Sequence, residues 1–219
     1  MPTALDHVLL GSADLDAGIA FVEQHLGIRA AFGGVHPGRG TQNALLSLGD
    51  HRYLEIIAPD PKQQDTNTTP MFRADLIAEL KSLATPRLVG WAVHPGNLDA
   101  FAQKLREAGV AFQGPTPGSR KRPDGRLLQW KTLNLDDDES GLLPFFIEWS
   151  ADSPHPSTDA PVGCSVGHFE LATPDPEALA RKTTLLGLDV LIHNVAIHNQ
   201  KAQIRAILVG PNGQVGVGS

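Results

Sequence analysis

The sequence predicts an α+β fold built from repeated β-α-β-β-β modules, because one short pattern occurs three times. Each copy is an apolar strand that carries a polar or aromatic residue, then an acid or amide able to cap a helix, then a helix that ends at glycine. A repeat of this length indicates that each unit buries its apolar face against another copy. The three strands lie near residues 5–10, 89–93 and 166–171, and the helices end at Gly27, Gly109 and Gly187.

The repeats divide the chain into modules and joints. In the first module Asp14 caps the helix, and three strands follow it, of which the last contains Glu55. The polar linker contains a predicted connecting helix near residues 71–83. The third module is predicted to be a truncated β-α-β module, because no glutamate follows His168 at the spacing that separates His7 from Glu55. The predicted segments are 1–60 for the first module, 61–86 for the linker, 87–150 for the second module and 161–219 for the third.

Composition restricts the class of protein. The chain has 219 residues, of which 41% are hydrophobic, and this is enough for a sizeable core. Its net charge of -6 and its pI near 5.8 argue against nucleic acid or an anionic membrane as a partner, since both need a basic surface. A single cysteine, Cys164, and the lack of an apolar run of about 20 residues favour a cytoplasmic protein. The expected partners are a small-molecule ligand and a second copy of the chain.

Two glutamates stand out because each lies inside an apolar strand. Glu55 interrupts the run Tyr-Leu-Glu-Ile-Ile, and Glu148 interrupts the run Phe-Phe-Ile-Glu-Trp. Burying a carboxylate without compensation is costly. A divalent metal ion such as zinc, nickel, manganese or ferrous iron would compensate both groups. Two alternatives to a metal stay open: the glutamates face water or a basic side chain, or they bind a ligand without metal.

Several segments resemble one protein family. The opening-strand His7 and the last-strand Glu55, in paired β-α-β-β-β units, resemble the vicinal oxygen chelate superfamily, which includes glyoxalase I, extradiol dioxygenases, methylmalonyl-CoA epimerase and bleomycin-binding proteins. More narrowly, the chain is similar to the glyoxalase-like domain branch over residues 1 to about 150. The segments that carry this narrower likeness are Leu-Asp-His-Val at 5–8, Gly-Val-His-Pro-Gly-Arg-Gly-Thr-Gln-Asn at 34–43, Tyr-Leu-Glu at 53–55 and Pro-Phe-Phe-Ile-Glu-Trp at 144–149.

The resemblance implies a curved mixed sheet in which two modules form a cup and together hold a metal ion. Carried over by position, the ligands are His7 and Glu55 from the first module and Trp91 and Glu148 from the second. Indole cannot coordinate a cation, so Trp91 departs from the pattern. His7, Glu55 and Glu148 remain as a three-ligand metal site with open positions for substrate. His168 corresponds to His7 but has no glutamate partner in its module, and we interpret it as a solvent-facing or core histidine.

Other side chains are candidates for substrate binding. His36, Arg39 and Asn43 lie in or beside a glycine-rich stretch whose backbone N–H groups either bind an anion or simply form a turn. Arg122 belongs to a basic hairpin that is either a lid for a carboxylate or phosphate or a solvated turn. Stacking on a planar ligand is the role expected of Trp91, Trp130 or Trp149.

Two functions follow from these residues. In the first, the protein is a metal-dependent enzyme of the isomerase or lyase type. A divalent metal (Zn, Ni, Mn or Fe) chelates two adjacent oxygens of a small substrate, and Glu55 or Glu148 transfers a proton. In the second, a metal-free cup of the bleomycin-resistance type sequesters a small molecule. The truncated third module leaves an exposed sheet edge, which favours a homodimer.

Overall fold

The computed structural model describes most of the chain. The described residues are 3–63, 75–122, 124–136, 141–195 and 201–219. Residues 71–74 of the predicted connecting helix lie outside these ranges. Within the ranges, no helix is long and apolar enough to cross a membrane.

The first module has the predicted order of one strand, one helix and three strands. Its helix begins after Asp14, whose side chain accepts a hydrogen bond from the Ala17 amide (2.9 Å), and it ends at Gly27, which adopts a left-handed conformation (φ 81°). The elements are β1 (Ala4–Gly11), α1 (Leu15–Leu26), β2 (Ala31–His36), β3 (Thr41–Gly49) and β4 (Arg52–Pro59).

The second module repeats this order after a short linker helix. Asn97 caps the module's own helix by accepting a hydrogen bond from the Ala100 amide (2.7 Å), as Asp14 does in the first module. The elements are α2 (Leu76–Ser82) in the linker, then β5 (Arg87–His94), α3 (Leu98–Glu107), β6 (Phe112–Lys121), β7 (Leu127–Leu135) and β8 (Phe145–Trp149).

Both modules contribute to one eight-stranded mixed sheet with the strand order β2-β3-β4-β1-β5-β8-β7-β6. The modules join at β1 and β5, which are antiparallel, while β1 is parallel to β4 and β5 is parallel to β8. The two outermost strands, β2 and β6, contact each other, so the sheet curls into a cup. The predicted curved mixed sheet of repeated modules is confirmed.

The third module forms a separate four-stranded sheet and comprises β9 (Ser165–Thr173), α4 (Pro176–Leu185), β10 (Leu191–Asn194), β11 (Gln203–Gly210) and β12 (Gly213–Gly218). The strand order is β10-β9-β11-β12. Strand β10 is parallel to β9, as β4 is to β1, and β11 is antiparallel to β9, as β5 is to β1. The unit β9-α4-β10 is therefore the predicted truncated module. Among the described residues of this module, no strands correspond to β2 and β3, and β11 pairs with β9 as the opening strand of the second module, β5, pairs with β1.

The main core lies between the outer face of the large sheet, the helices and the second sheet. Apolar side chains of β1 and α1, such as Leu10 and Val22, belong to the same buried cluster as Ile204 of β11 and Val217 of β12. The third module thus packs onto the first two through apolar surface, whose removal from water is the main driving force for this arrangement.

Two connecting segments close the ends of the cup. Along β4 the side chains of Tyr53, Glu55 and Ile57 face inward, as strand alternation predicts. Helix α2 packs against Ile57 at one end. At the other end Ala160, in the segment between the second and third modules, packs against Tyr53. Glu55 lies between these two closures.

Trp91 belongs to the main core and not to the cup. It is 3% exposed, its ring lies 4.9 Å from the ring of Phe169 in the third module, and its Nε1 donates a hydrogen bond to the Leu142 carbonyl oxygen (2.8 Å). The indole therefore joins the second module to the third. The structure does not bring Trp91 to the position expected for a substrate-stacking residue.

We expect Trp91→Phe to lower the free energy of unfolding by about 1–3 kcal/mol, because phenylalanine keeps apolar contacts but leaves the buried Leu142 carbonyl without this donor. Urea denaturation followed by circular dichroism measures the change. A loss below about 0.5 kcal/mol, the usual range for surface substitutions, would contradict this structural role.

Candidate functional site

The inside of the cup encloses a small cavity of about 40 Å³. Two larger hollows, of about 350 and 390 Å³, lie beside α3 and the end of α4; their walls are largely apolar, and each contains one lysine. We place the site in the cup because only there, among these three cavities, do buried carboxylate, imidazole and guanidinium groups meet. Of the predicted site residues, the cavity is lined by His7, His36, Arg39, Asn43, Glu55 and Trp130.

Glu55 is the central group of the site. Its residue is 4% exposed, and Oε1 accepts a hydrogen bond from Asn43 Nδ2 at 2.6 Å. His7 Nε2 lies 3.5 Å from Glu55 Oε2, and His36 Nε2 lies 3.7 Å from Glu55 Oε1. The buried carboxylate is therefore surrounded by one amide donor and two imidazoles.

Arg120 supplies a buried cation on the other side of this amide. It is 3% exposed, and Nη1 donates a hydrogen bond to Asn43 Oδ1 at 2.9 Å. Burial lowers the pKa of the guanidinium, and the negative charge of Glu55 opposes that shift. Asn43 thus links the two charges, because its oxygen faces Arg120 and its nitrogen faces Glu55. Arg120 begins the basic hairpin recognisable in the sequence, but its place in the site was not predicted.

Two glycines of β2 make room for Arg120. A Cβ added at Gly33 would lie 2.5 Å from Arg120 Nη1 and 2.4 Å from Asn43 Oδ1, and a Cβ at Gly34 would lie 3.1 Å from the Lys121 carbonyl oxygen. Side chains at these positions would displace the arginine or the amide. Part of the glycine-rich stretch therefore lets the arginine of β6 cross β2 and reach the cup.

Asp6 fixes the orientation of His7. A β-bulge between Leu5 and His7 brings Asp6 to the same side as His7, where strict alternation would separate them. Asp6 Oδ1 lies 2.7 Å from His7 Nδ1, so His7 directs Nε2 towards Glu55. Burial raises the pKa of Asp6, but hydrogen bonds to His155 and His7 outweigh it and hold the pKa at about 2.

The remaining walls are aromatic or neutral. The Tyr53 ring stacks on the His7 ring at 4.4 Å, and the Phe145 ring meets the same imidazole edge-on at 5.4 Å. Burial lowers the pKa of His36 to about 4, so this imidazole is neutral at pH 7. Burial also lowers the pKa of Arg39, which is half-buried at the cavity. The site contains fixed rings around a small polar centre.

Glu148 does not join His7 and Glu55. Strand β8 turns Phe145, Ile147 and Trp149 towards the cup, and Glu148 therefore points to the outer face. Its Oε2 accepts a hydrogen bond from the Leu98 amide at 2.6 Å, at the N-terminus of α3. That terminus carries partial positive charge, which compensates this carboxylate without a metal.

The expected alignment of the opening strands is also corrected. Asp14 and Asn97 cap the equivalent helices of their modules. The residue that precedes Asn97 by the same distance as His7 precedes Asp14 is Gly90, so Gly90 is the counterpart of His7. Trp91 is one residue further along and faces the core. The prediction failed because it matched residue types and not distance from the cap.

The last strands show a similar correction. Leu9 pairs with Glu55 across the parallel β1–β4 ladder, and Ala92, which corresponds to Leu9 by the same count, pairs with Phe145 across β5–β8. The counterpart of Glu55 is therefore Phe145, and Glu148 lies three residues beyond it. At the positions that hold His7 and Glu55 in the first module, the second module has glycine and phenylalanine.

Two further predicted residues lie outside the cup. Arg122 Nη1 forms an ion pair with Asp159 Oδ1 at 2.6 Å, and Arg126 reaches the same carboxylate at 2.7 Å. These arginines attach the β6–β7 hairpin to the segment between the second and third modules. His168 is half-exposed on the second sheet, where its Nε2 lies 2.9 Å from Glu170 Oε2.

The residues of the cup do not fit the divalent metal site that the resemblance implies. The second module presents no ligand at the matching positions, and Arg120 already places a cation near Glu55. In the part of the chain that the structure describes, no group of three or more His, Cys, Asp or Glu side chains is arranged to hold a metal ion. The burial of Glu55 is instead compensated by Asn43, the imidazoles and Arg120.

Comparison of the sequence with protein families gives the same assignment as the architecture. A family described as Glyoxalase-like domain matches residues 5–187. The chain belongs to this glyoxalase-like domain family. The family lies within the vicinal oxygen chelate superfamily, as the sequence motifs predicted. No curated protein sequence matches the chain.

Solved structures share the fold. A hypothetical protein from Staphylococcus aureus superposes with a TM-score of 0.68 at 16% identity, over 99% of this chain and 85% of its own. A variant of Streptomyces coelicolor methylmalonyl-CoA epimerase, in complex with 2-nitronate-propionyl-CoA, gives 0.50 at 20% identity, over 70% and 99%. Methylmalonyl-CoA epimerase from Mycobacterium tuberculosis gives 0.47 at 25% identity, over 67% and 87%. The first two show that this glyoxalase-like protein shares its fold with both.

We expect Gly33→Ala to lower the free energy of unfolding by about 1–3 kcal/mol, because the new methyl group would overlap Asn43 and Arg120. Gly216→Ala is the matched control, since a Cβ there meets nothing within 4 Å, and its effect should stay within about 0.5 kcal/mol. Urea denaturation of both variants measures the difference. Equal effects would contradict the close approach of Arg120 to β2.

Stability should fall with acid in two separable steps. The pKa of His36 is lowered from 6.5 to about 4, so its contribution is complete above pH 6.5 and is lost as the pH falls towards 4. The pKa of Asp6 is lowered from 3.8 to about 2, so its contribution is lost between about pH 4 and 2. The His36 step should amount to about 3 kcal/mol and the Asp6 step to about 2 kcal/mol.

Urea denaturation at a series of pH values tests both steps. His36→Gln should flatten the stability profile between pH 6.5 and 4, and Asp6→Asn should flatten it below pH 4. A His36→Gln profile parallel to that of the unaltered protein across the upper range would contradict the neutral, buried state of His36.

Proposed function

We propose that this glyoxalase-like protein is an acid–base enzyme of the isomerase or lyase type that acts on a small anionic substrate with a carbonyl group. The observation that carries the proposal is the pair His7 and Glu55, 3.5 Å apart, facing a cavity that Arg120 also lines. The proposal keeps the reaction type expected from the sequence. It replaces metal chelation with the chain's own side chains.

Glu55 is the base of the proposed reaction. It removes the proton from the carbon next to the substrate carbonyl, and the electron pair of the broken C–H bond moves into the carbonyl to form an enolate. His7 Nε2 takes the proton from Glu55 and holds it as imidazolium opposite Asp6. The proton then returns to a carbon or oxygen of the intermediate, which completes an isomerisation. In the lyase reaction the electron pair of the enolate instead expels a leaving group, which takes the proton from His7.

Arginine stabilises the negative charge that this reaction creates. Arg120 is buried beside the catalytic pair, and Arg39 lines the same cavity from the loop after β2. A guanidinium can bind a carboxylate or enolate oxygen through two parallel N–H groups. Because the site excludes most water, the interaction is stronger than it would be at the surface. A substrate with a carboxylate beside its carbonyl fits both arginines.

The size of the cavity restricts the reacting part of the substrate. A volume of about 40 Å³ corresponds to roughly three water molecules on this measure, since one needs about 10–15 Å³. A carboxylate with one or two adjacent carbons fits, while a fused aromatic ring system does not. This favours the enzyme over sequestration of a large planar ligand. The epimerase that shares the fold is an analogy for proton transfer at such a carbon.

Hydrogen exchange tests the proposal. We expect the protein to catalyse exchange of the α-hydrogen of pyruvate, 2-oxobutyrate or methylmalonate with D₂O, measured by proton NMR in the presence of EDTA. Glu55→Gln should reduce the rate at least about 100-fold, the usual contribution of a general base. Glu148→Gln is the matched control, because Glu148 faces away from the cup and its variant should keep the rate within about twofold.

Other outcomes would overturn parts of the proposal. Binding of these acids without exchange would identify a binding protein. Exchange that EDTA abolishes and that Zn, Mn, Ni or Fe restores would reinstate the metal-dependent mechanism. If none of the acids exchanges or binds, the substrate class is wrong. The predicted homodimer is independent of these results and stays a prediction.

A further inference from the structure

A second buried carboxylate, Asp6, forms a network behind the catalytic pair. It is 2% exposed and receives contacts from three side chains on three separate segments. Oδ1 lies 2.7 Å from His7 Nδ1, while Oδ2 lies 3.2 Å from His155 Nε2 and 3.2 Å from Trp149 Nε1. Because an ionised carboxylate only accepts hydrogen bonds, each of these nitrogens must donate to it.

The tautomer of His155 follows from its other nitrogen. The Ser157 backbone N–H donates to His155 Nδ1 at 3.2 Å, and a backbone N–H cannot accept. In the neutral ring Nδ1 therefore carries no proton, and Nε2 carries the proton that is donated to Asp6. The hydroxyl of Ser157, 2.7 Å from the same Nδ1, fits as a second donor.

His7 must have the opposite tautomer. Its Nδ1 donates to Asp6, so in the neutral ring Nε2 has a free electron pair directed at the cavity and at Glu55. That form is the one able to take a proton from Glu55. Stacking of the Tyr53 ring on His7 and contact of Tyr53 with His155 at 5.6 Å hold both imidazoles in place.

We infer that Asp6 and His155 are positioning residues that fix His7 in its Nδ1–H form. The segment between the second and third modules is therefore part of the site because it carries His155, although the His155 side chain does not itself line the cavity. This inference deepens the proposed function, and the catalytic role of Asp6 and His155 rests on that function. The tautomer of His7 does not rest on it, because the tautomer is a property of the protein without substrate.

The segment that carries His155 is anchored at two points that follow this histidine in the chain, Pro161 and Asp159. The Ser47 amide of β3 donates to the Pro161 carbonyl oxygen at 2.8 Å, and Asp159 forms ion pairs with Arg122 and Arg126. A short 3-10 helix at Pro156–Thr158 connects His155 to these contacts. These anchors hold the imidazole of His155 against Asp6 and limit its freedom to turn away.

NMR of the full chain labelled with [¹⁵N]histidine tests the tautomers directly. Long-range proton–nitrogen correlation spectra distinguish a ring protonated at Nδ1 from one protonated at Nε2, and His7→Gln and His155→Gln assign the two signals. We expect His7 in the Nδ1–H form and His155 in the Nε2–H form. An Nε2–H form of His7 in the unaltered protein would overturn the inference.

Two variants of His155 separate positioning from mere packing. His155→Phe keeps a ring but cannot hold the Asp6 carboxylate in its orientation, so this carboxylate can turn away from His7 Nδ1; the His7 signal should then move towards the Nε2–H form and the exchange rate should fall about 10- to 100-fold. His155→Gln offers an amide donor and should restore both readouts to within about threefold of the unaltered protein. A His7 signal unchanged in His155→Phe would overturn the inference even if Asp6→Asn fails to fold.

The two proposals fail in different ways. If the tautomers are as expected but no acid exchanges, the positioning network stands and the proposed reaction is wrong. If exchange occurs and depends on Glu55 while His7 has the other tautomer, the reaction stands and the roles of Asp6 and His155 are wrong.

Discussion

The fold of the cup depends on keeping one carboxylate, Glu55, inside an apolar sheet. Removing a charged group from water costs more than a single hydrogen bond returns, so the surrounding structure must supply several partners. Asn43 supplies the amide, and Arg120 supplies a cation that comes from the far edge of the sheet. Gly33 has no side chain and so leaves the space that the Arg120 guanidinium occupies. One buried group thus explains a hydrogen-bond network, a glycine pair and the closure between β2 and β6.

Most of the fold could be predicted from sequence because its signals are local. Helix caps such as Asp14 and Asn97, glycines that end helices, and alternation of apolar residues are each decided within a few residues. Because the same strand, cap and helix pattern occurs three times, each copy supports the assignment of the other two. The truncated third module was predictable for the same reason, since a missing glutamate after His168 is visible by counting. How β11 and β12 complete the second sheet was not, because strand order depends on long-range pairing.

The site was predictable only within the first module. His7 and Glu55 follow from strand alternation, whereas residue type alone misplaces Glu148 and Trp91 of the second module, which face outward. Residue type identifies a group that needs compensation and does not show which side of the strand it occupies. Arg120 could not be predicted, because its role depends on curvature that brings β6 to β2. The bulge that adds Asp6 is likewise a product of strand pairing.

The connecting segments give the site its small volume and its order. Helix α2 covers Ile57 at one end of β4, and the segment containing Ala160 covers Tyr53 at the other end, so these two segments close the cup. Both closures are linkers between modules, so the modules create the cavity only after they are joined. A site closed in this way holds its polar groups in fixed positions and limits access of water, which strengthens the attraction between a guanidinium and an anionic oxygen. Arg39 and Trp130 are half-buried at the cavity wall, so their side chains lie nearer to solvent than the buried Glu55 does.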